Sequence, residues 1–296
     1  MEKKETCAKT SFETHEDVEI CWDKVLTAKG NWATRSVGYY LNWHDSFEIR
    51  RIYSGEGVVW CGTKPVRVRG GDVVIHNPFE LHECRALSEQ LRYDLIIVSP
   101  NVVFDGRLWG NTDPHTGTRI RFENLIRDDP EACSYVAAFL EACRNKDSAW
   151  EMMAEGRLLA LFAYLTRQYK RESLPESEYD ALPANLHRIE PALQYMVSSY
   201  DREITIKELA SMCHVTQYHF CRLFQYLTGT SAIQFLIRRR LDRAYYLLKF
   251  SDISIAEIAR QVGYPDPGYF NRLFRQRYGK PPGTVRKEDA YFPEIG

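Results

Sequence analysis

The sequence predicts an α+β chain in two parts: a β-barrel with a helical pair, then an all-α region of two tandem helix-turn-helix units. Three observations predict it. Residues 37–99 are short runs rich in Val, Ile, Tyr and Trp, broken by glycines. From about residue 131 the apolar side chains switch to three- and four-residue steps. Residues 205–231 then recur as residues 254–281.

In chain order, VGYYLNW (37–43), FEIRRIYS, GVVWCG, PVRVR, DVVIH, LHECRA and LRYDLIIVS read as strands. Turns at Gly55–Gly57, Gly62, Gly70–Gly71 and Asn77–Pro78 separate most of them. Many short strands at this pitch indicate a sandwich or small barrel. The stretch 100–120 has little periodicity and reads as loop. Cys133, Val136, Ala137, Leu140 and Cys143 mark one amphipathic helix, and Leu158, Leu161, Phe162 and Leu165 a second. This pair is expected to pack on the barrel, to join two chains as a homodimer, or both. Residues 171–185, with two prolines and four acids, read as a linker. The expected divisions are therefore 1–172, a linker at 173–186, and 187–296.

The repeat is specific. Glu208 and Ala210 match Glu257 and Ala259 at a spacing of 49. Phe220, Arg222, Leu223, Phe224 and Gly229 match Phe270, Arg272, Leu273, Phe274 and Gly279 at a spacing of 50. The one-residue slip falls between the two helices of each unit, where a turn absorbs it. Thr205 and Thr216 are placed to cap the helices of the first copy, Ser254 and Asp266 those of the second. With the phenylalanines and leucines inside, Gln217, Tyr218, Cys221 and Arg222 face outward, as do Gly268, Tyr269, Asn271 and Arg272. Arginine suits guanine edges and asparagine adenine edges, whereas tyrosine more often meets phosphate or a thymine methyl. A solvated helix face is the bland alternative for any one of them.

Between the copies, SAIQFLIRRRLDRAYYLLKFS reads as one amphipathic helix, with Phe235, Leu236, Leu241, Ala244, Leu247 and Leu248 on its apolar side. About 19 residues span about 28 Å, close to the roughly 34 Å between successive major-groove segments on one face of a duplex. Arg238, Arg239, Arg240 and Arg243 form a basic cluster expected to meet phosphates.

Charge supports the division. Residues 187–296 hold 16 Lys+Arg against 11 Asp+Glu, while the remainder holds 23 against 29. A basic third on an acidic body suits a polyanion-binding module joined to something else. The eight cysteines form no C-x-x-C pair and no zinc-finger spacing, so reduced thiols are expected. No apolar run reaches membrane-spanning length and the N-terminus is too polar for a secretion signal, which predicts a cytoplasmic protein with no membrane partner.

The run IxIxEIAxxVGYxDxxYFNRLFRQRYGxPPxxxR from Ile253 to Arg286, with IRRRLDRAYYLL at 237–248, resembles the DNA-binding domain of the AraC family of bacterial transcription regulators. The resemblance covers residues 187–288 and departs at Gly268, where that family usually has serine. It implies double-stranded DNA and RNA polymerase as partners. The N-terminal part resembles the cupin-like effector domain of the same family, on the shorter match of Asn42, His44 and Glu48, then Gly55, Gly71, Pro78 and His82. Cupins often carry a metal on such a set, which would suit iron, manganese or zinc. Here Asn42 replaces the first histidine, so no metal or other cofactor is expected. The alternative is hydrogen bonding to an organic effector. Trp43, His44, Glu48, Trp60 and His82 are the effector-site candidates, with Tyr39 and Tyr40 as further aromatic surface; a small polar metabolite such as a carbohydrate is expected. The leading reading is a ligand-responsive activator rather than an enzyme. Two others stay open: a cupin metalloenzyme with a DNA-binding tail, and a constitutive DNA-binding protein with an inert barrel.

Overall fold

The computed structural model describes residues 12–15, 18–27, 42–62, 64–100, 112–113 and 118–287. Strands β1 (Phe12–His15), β2 (Val18–Thr27), β8 (Gln90–Val98), β3 (Phe47–Ser54), β6 (Val73–His76) and β11 (Leu125–Ile126) form one sheet in that order. Strands β5 (Lys64–Arg69), β4 (Glu56–Cys61) and β7 (His82–Ala86) form a second. A third contains β12 (Lys170–Pro175), β10 (Thr118–Phe122) and β9 (Thr112–Asp113). The expected strands from residue 47 to 98 are all present. Most of the strand expected at 37–43, with Tyr39 and Tyr40, lies outside the described residues, as do Cys7 and most of 100–120. Asn42 makes a single bridge to His82. Strands β1 and β2 extend the sheet beyond what the sequence pattern suggested.

Alternation along the strands decides what fills the barrel. On β3, Phe47 and Ile49 face outward into a cluster with Val136, Phe139, Leu158, Leu161 and Phe162. These come from α1 (Pro130–Asn145) and α2 (Trp150–Gln168), which therefore cover the outer face of the large sheet. Each fully buried Phe or Leu of this kind stabilises the fold by about 1.5–3 kcal/mol. The intervening residues of β3, Glu48 and Arg50, point between the sheets together with Ile52. That placement builds the polar interior.

The stretch expected as a linker at 173–186 is strand and helix instead. β12 pairs with β10, and α3 (Glu176–Ser198) runs on through Pro183 and Pro191. The reason is an apolar stripe that outweighs two prolines: Tyr179, Leu182, Leu186, Ile189 and Leu193 are all buried at helical spacing.

The rest is helical: α4 (Ile206–Met212), α5 (Gln217–Thr228), α6 (Ala232–Phe250), α7 (Ile255–Gln261), α8 (Pro267–Tyr278) and α9 (Pro282–Lys287). Helix α6 serves both repeats. Its first half gives Ala232 and Phe235 to a core with Leu209, Phe220 and Phe224, and its second gives Leu241, Ala244 and Leu248 to a core with Ile258, Phe270 and Phe274. None of the helices among the described residues is long and apolar enough to cross a membrane.

Candidate DNA-reading and effector sites

Each repeat sets its outer helix by the same local devices. Thr205 and Thr216 accept from the amides of Glu208 and His219, both at 3.2 Å, and Ser254 does the same for Glu257 at 3.2 Å. At α8 the cap is Asp266, which accepts from Gly268 N at 2.8 Å, with Pro267 opening the helix. Asp266 stands at the position equivalent to Thr216, so Gly268 leaves the cap of this helix in place. Helices α5 and α8 both end on a left-handed glycine, Gly229 (φ 66°) and Gly279 (φ 70°). The turns differ by the expected single residue, 213–216 against 262–266. His214 (φ 54°) and Gly263 (φ 86°) occupy the same left-handed position in them.

With those caps fixed, the outward faces follow. Gln217, Tyr218, Cys221 and Arg222 are exposed on α5, and Gly268, Tyr269, Asn271 and Arg272 are exposed on α8. Tyr218 is 72% exposed and open to a partner on that face. A cleft beside α8 also brings Arg275 and Gln276 together with Asn271 and Arg272. These two are not among the residues expected from sequence, although Arg275 lies about one helical turn beyond Arg272.

The arginines of α6 lie elsewhere than expected. Arg240 donates from Nε to the Tyr200 carbonyl at 2.7 Å and from Nη2 to the Arg202 carbonyl at 2.6 Å. Arg239 lies over the Tyr200 ring at 5.7 Å, and Arg238 over Phe235 at 5.4 Å in a crevice shared with Glu83, Arg85 and Asp242. Burial pulls the Arg238 and Arg240 pKa values down. Backbone carbonyls of the chain thus take up Arg240, while Arg238 and Arg239 lie half-buried over aromatic rings rather than on the open face expected to meet phosphates.

In the barrel, His44, Glu48 and His82 come together as expected. His44 Nε2 and His82 Nε2 lie 3.5 and 3.4 Å from Glu48 Oε2. Two groups that sequence reasoning missed complete the interior. Arg50 donates from Nε to Glu48 Oε1 at 2.6 Å, and His76 Nε2 lies 3.8 Å from the same oxygen. The missed signal was alternation: Arg50 is two residues from Glu48 on β3, and His76 pairs with Glu48 across β6. Burial alone would raise the Glu48 pKa, but Arg50 and His82 hold it well below its ordinary value. Burial drives the His76 pKa down, so that ring is uncharged. Among the described residues, neither nitrogen of His76 nor Arg50 Nη1 has a hydrogen-bond partner, and Nε2 of His44 and of His82 have only the long contacts to Glu48.

This set does not fit a metal. One ligand atom each from His44, Glu48 and His82 falls within 4.8 Å. However, His44 Nδ1 accepts from Ser46 N at 3.3 Å, which puts the His44 proton on Nε2 and removes the lone pair facing Glu48. The fixed charge of Arg50, already on Glu48, would also oppose a divalent ion. His82 Nδ1 donates to the Glu80 carbonyl at 2.8 Å, leaving its Nε2 aimed inward.

The two tryptophans are not part of this interior. Trp43 packs edge-on to His187 of α3 at 4.7 Å, and Trp60 lies on the outer face of β4 under the Arg85 guanidinium at 4.7 Å. Strand alternation is the cause for Trp60: Val59 and Cys61 point inward, so Trp60 points out.

Comparison with known proteins agrees with both halves. Residues 33–162 match the AraC-like ligand binding domain, and residues 209–288 match the Helix-turn-helix domain. The chain is 28% identical over 250 residues to the transcriptional activator NphR of Rhodococcus sp, covering 80% of this chain and 72% of that one. It is 26% identical over 266 residues to the HTH-type transcriptional activator RhaR of Yersinia pseudotuberculosis serotype O:3 (strain YPIII), covering 85% and 86%. Among solved structures it is similar to the DNA-binding domain of AdpA in complex with a target DNA, at 28% identity and a TM-score of 0.32, covering 33% of this chain and 88% of that chain. With a ligand-binding domain of that type ahead of its paired helical readers, the chain belongs to the AraC family of DNA-binding transcription regulators.

Proposed function

We propose that this regulator is an effector-responsive activator that reads two neighbouring major-groove segments with α5 and α8. The observation that carries the reading is the equivalent outward Arg222 and Arg272, each beside an exposed tyrosine, on two helices held by the shared rod α6. Two regulators to which it is similar are named activators, which supports the sign. The effector is a small polar molecule whose hydroxyl or acid groups take the unpartnered nitrogens of His76 and Arg50 and the weakly held Nε2 atoms of His44 and His82. A carbohydrate remains within that class, held by hydrogen bonds rather than by stacking on Trp43 or Trp60.

The protein acts in the cytoplasm as a homodimer and contacts RNA polymerase in this reading. The pairing surface is α2, where Met152 is 75% exposed, Met153 51% and Leu159 37%. Residues up to about 172 sense, and the region from α3 onward reads DNA.

The test is selection of duplexes from a random-sequence pool by the full chain, followed by footprinting. Two protected segments one helical turn apart for each protomer are expected. Failure to enrich any sequence at low salt would sink the reading. A thermal-shift panel of polar metabolites on the same protein identifies the effector class, and Leu159→Glu is expected to leave a monomer in sedimentation.

A further inference from the structure

Strand β7 has two faces with different neighbours. His82 and Cys84 point into the barrel, where His82 meets Glu48 and Cys84 joins the inner core. Glu83 and Arg85 point the opposite way, onto α6. They are buried there, at 7% and 4% exposure, and paired to each other.

Across this boundary stands Asp242, 3% exposed in the middle of α6. Its carboxylate joins three elements. Oδ2 accepts from Arg85 Nη1 of β7 at 2.9 Å. Oδ1 accepts from Arg277 Nη2 at 2.7 Å and from Tyr278 OH at 2.8 Å, both at the end of α8. Arg238 lies in the same crevice. A buried acid of this kind is held only while its donors stay in place, because losing one leaves charge without water. Its pKa follows: burial would raise it, but Arg277 and Arg85 pull it far below the ordinary value.

We propose that Asp242 is a positioning residue for DNA reading, tying the second helix-turn-helix unit through Arg85 to the strand that carries His82. A change of contacts at His82 then reaches the second reader through one carboxylate. This rests on the regulator reading above and adds the route by which the barrel acts on it. The residues are spaced for such a route: His82 and Arg85 are three apart on one strand, and Asp242 and Tyr278 share a hydrogen bond.

The experiment is a double-mutant cycle in the full chain, with His82→Asn as the probe of the barrel interior. Two quantities are read: amide exchange over residues 267–287, and affinity for each half of the selected duplex. In the wild-type background, His82→Asn is expected to speed exchange of α8. It is also expected to change affinity for the second half-site by about fivefold or more, the usual lower range of coupling between sites. In an Arg85→Gln background the same substitution is expected to add nothing to either readout. Because Arg85→Gln leaves Glu83 buried and unpaired, Glu83→Gln/Arg85→Gln serves as the second background if the single variant fails to fold. A merely structural Arg85 makes the two effects additive, and additivity in both backgrounds overturns the proposal. A chain that selects no duplex defeats the regulator reading instead, and amide exchange still decides the tie.

Discussion

Arg272 lies 5.1 Å over the ring of Tyr269, three residues before it on the outward face of α8, and the equivalent Arg222 stands 5.7 Å over Tyr218, four residues before it on α5. Both arginines are exposed on the outward face, where a planar donor fork can meet a guanine edge. Arg222→Ala and Arg272→Ala are each expected to cost about 1–3 kcal/mol at the selected duplex and to relax base preference at one position. Equal losses on selected and random DNA, measured by fluorescence anisotropy, would mean that both contact only phosphate.

The start of α3 gives a second prediction. A fragment beginning at residue 187 cuts that helix and deletes Leu186, which is completely buried in the first reader's core. A fragment from residue 176 keeps it. Losing a fully buried leucine costs about 2–5 kcal/mol, so the shorter fragment is expected to unfold at lower urea. Equal midpoints would show that α3 contributes nothing to the reader before residue 187.

The readers were legible in the sequence because their stability is local. Caps at Thr216 and Asp266, the glycines Gly229 and Gly279, and phenylalanines at helical spacing each declare themselves within a few residues. The barrel interior was half legible: His44, Glu48 and His82 stand at recognisable spacings, yet their partners Arg50 and His76 appear only once strand faces are assigned. What sequence could not supply was contact between distant segments. Arg85 and Asp242 are 157 residues apart, and no periodicity records their pairing. The same long-range packing removed Trp60 from the effector candidates and took Arg238, Arg239 and Arg240 off an open face.

Protein purified without chelators is expected to carry no stoichiometric iron, manganese or zinc. The argument is the placement of the His44 proton on Nε2 by Ser46 and the Arg50 charge on Glu48. Elemental analysis checks it. One retained equivalent of metal per chain, lost in His82→Ala, would show that the interior rearranges into a cage.

Glu48 and Arg50 set the acid limit of the barrel. Both are buried, and the carboxylate is held well below its ordinary pKa of 4.5 by the guanidinium beside it. A group whose pKa is lowered on folding contributes stability above its unfolded value and loses it as pH falls through the folded one. The contribution is therefore full above about pH 4.5 and fades below it. Glu48→Gln leaves Arg50 buried without its counter-charge, which is expected to destabilise the chain by about 3–5 kcal/mol at pH 7. It is also expected to flatten the acid side of the stability profile. The double variant Glu48→Gln/Arg50→Met removes both charges and should recover much of that loss. Urea unfolding between pH 3 and pH 7 compares the three proteins, each range being about what the linkage requires. If the wild type and Glu48→Gln fall in parallel with acid, some other carboxylate governs the barrel.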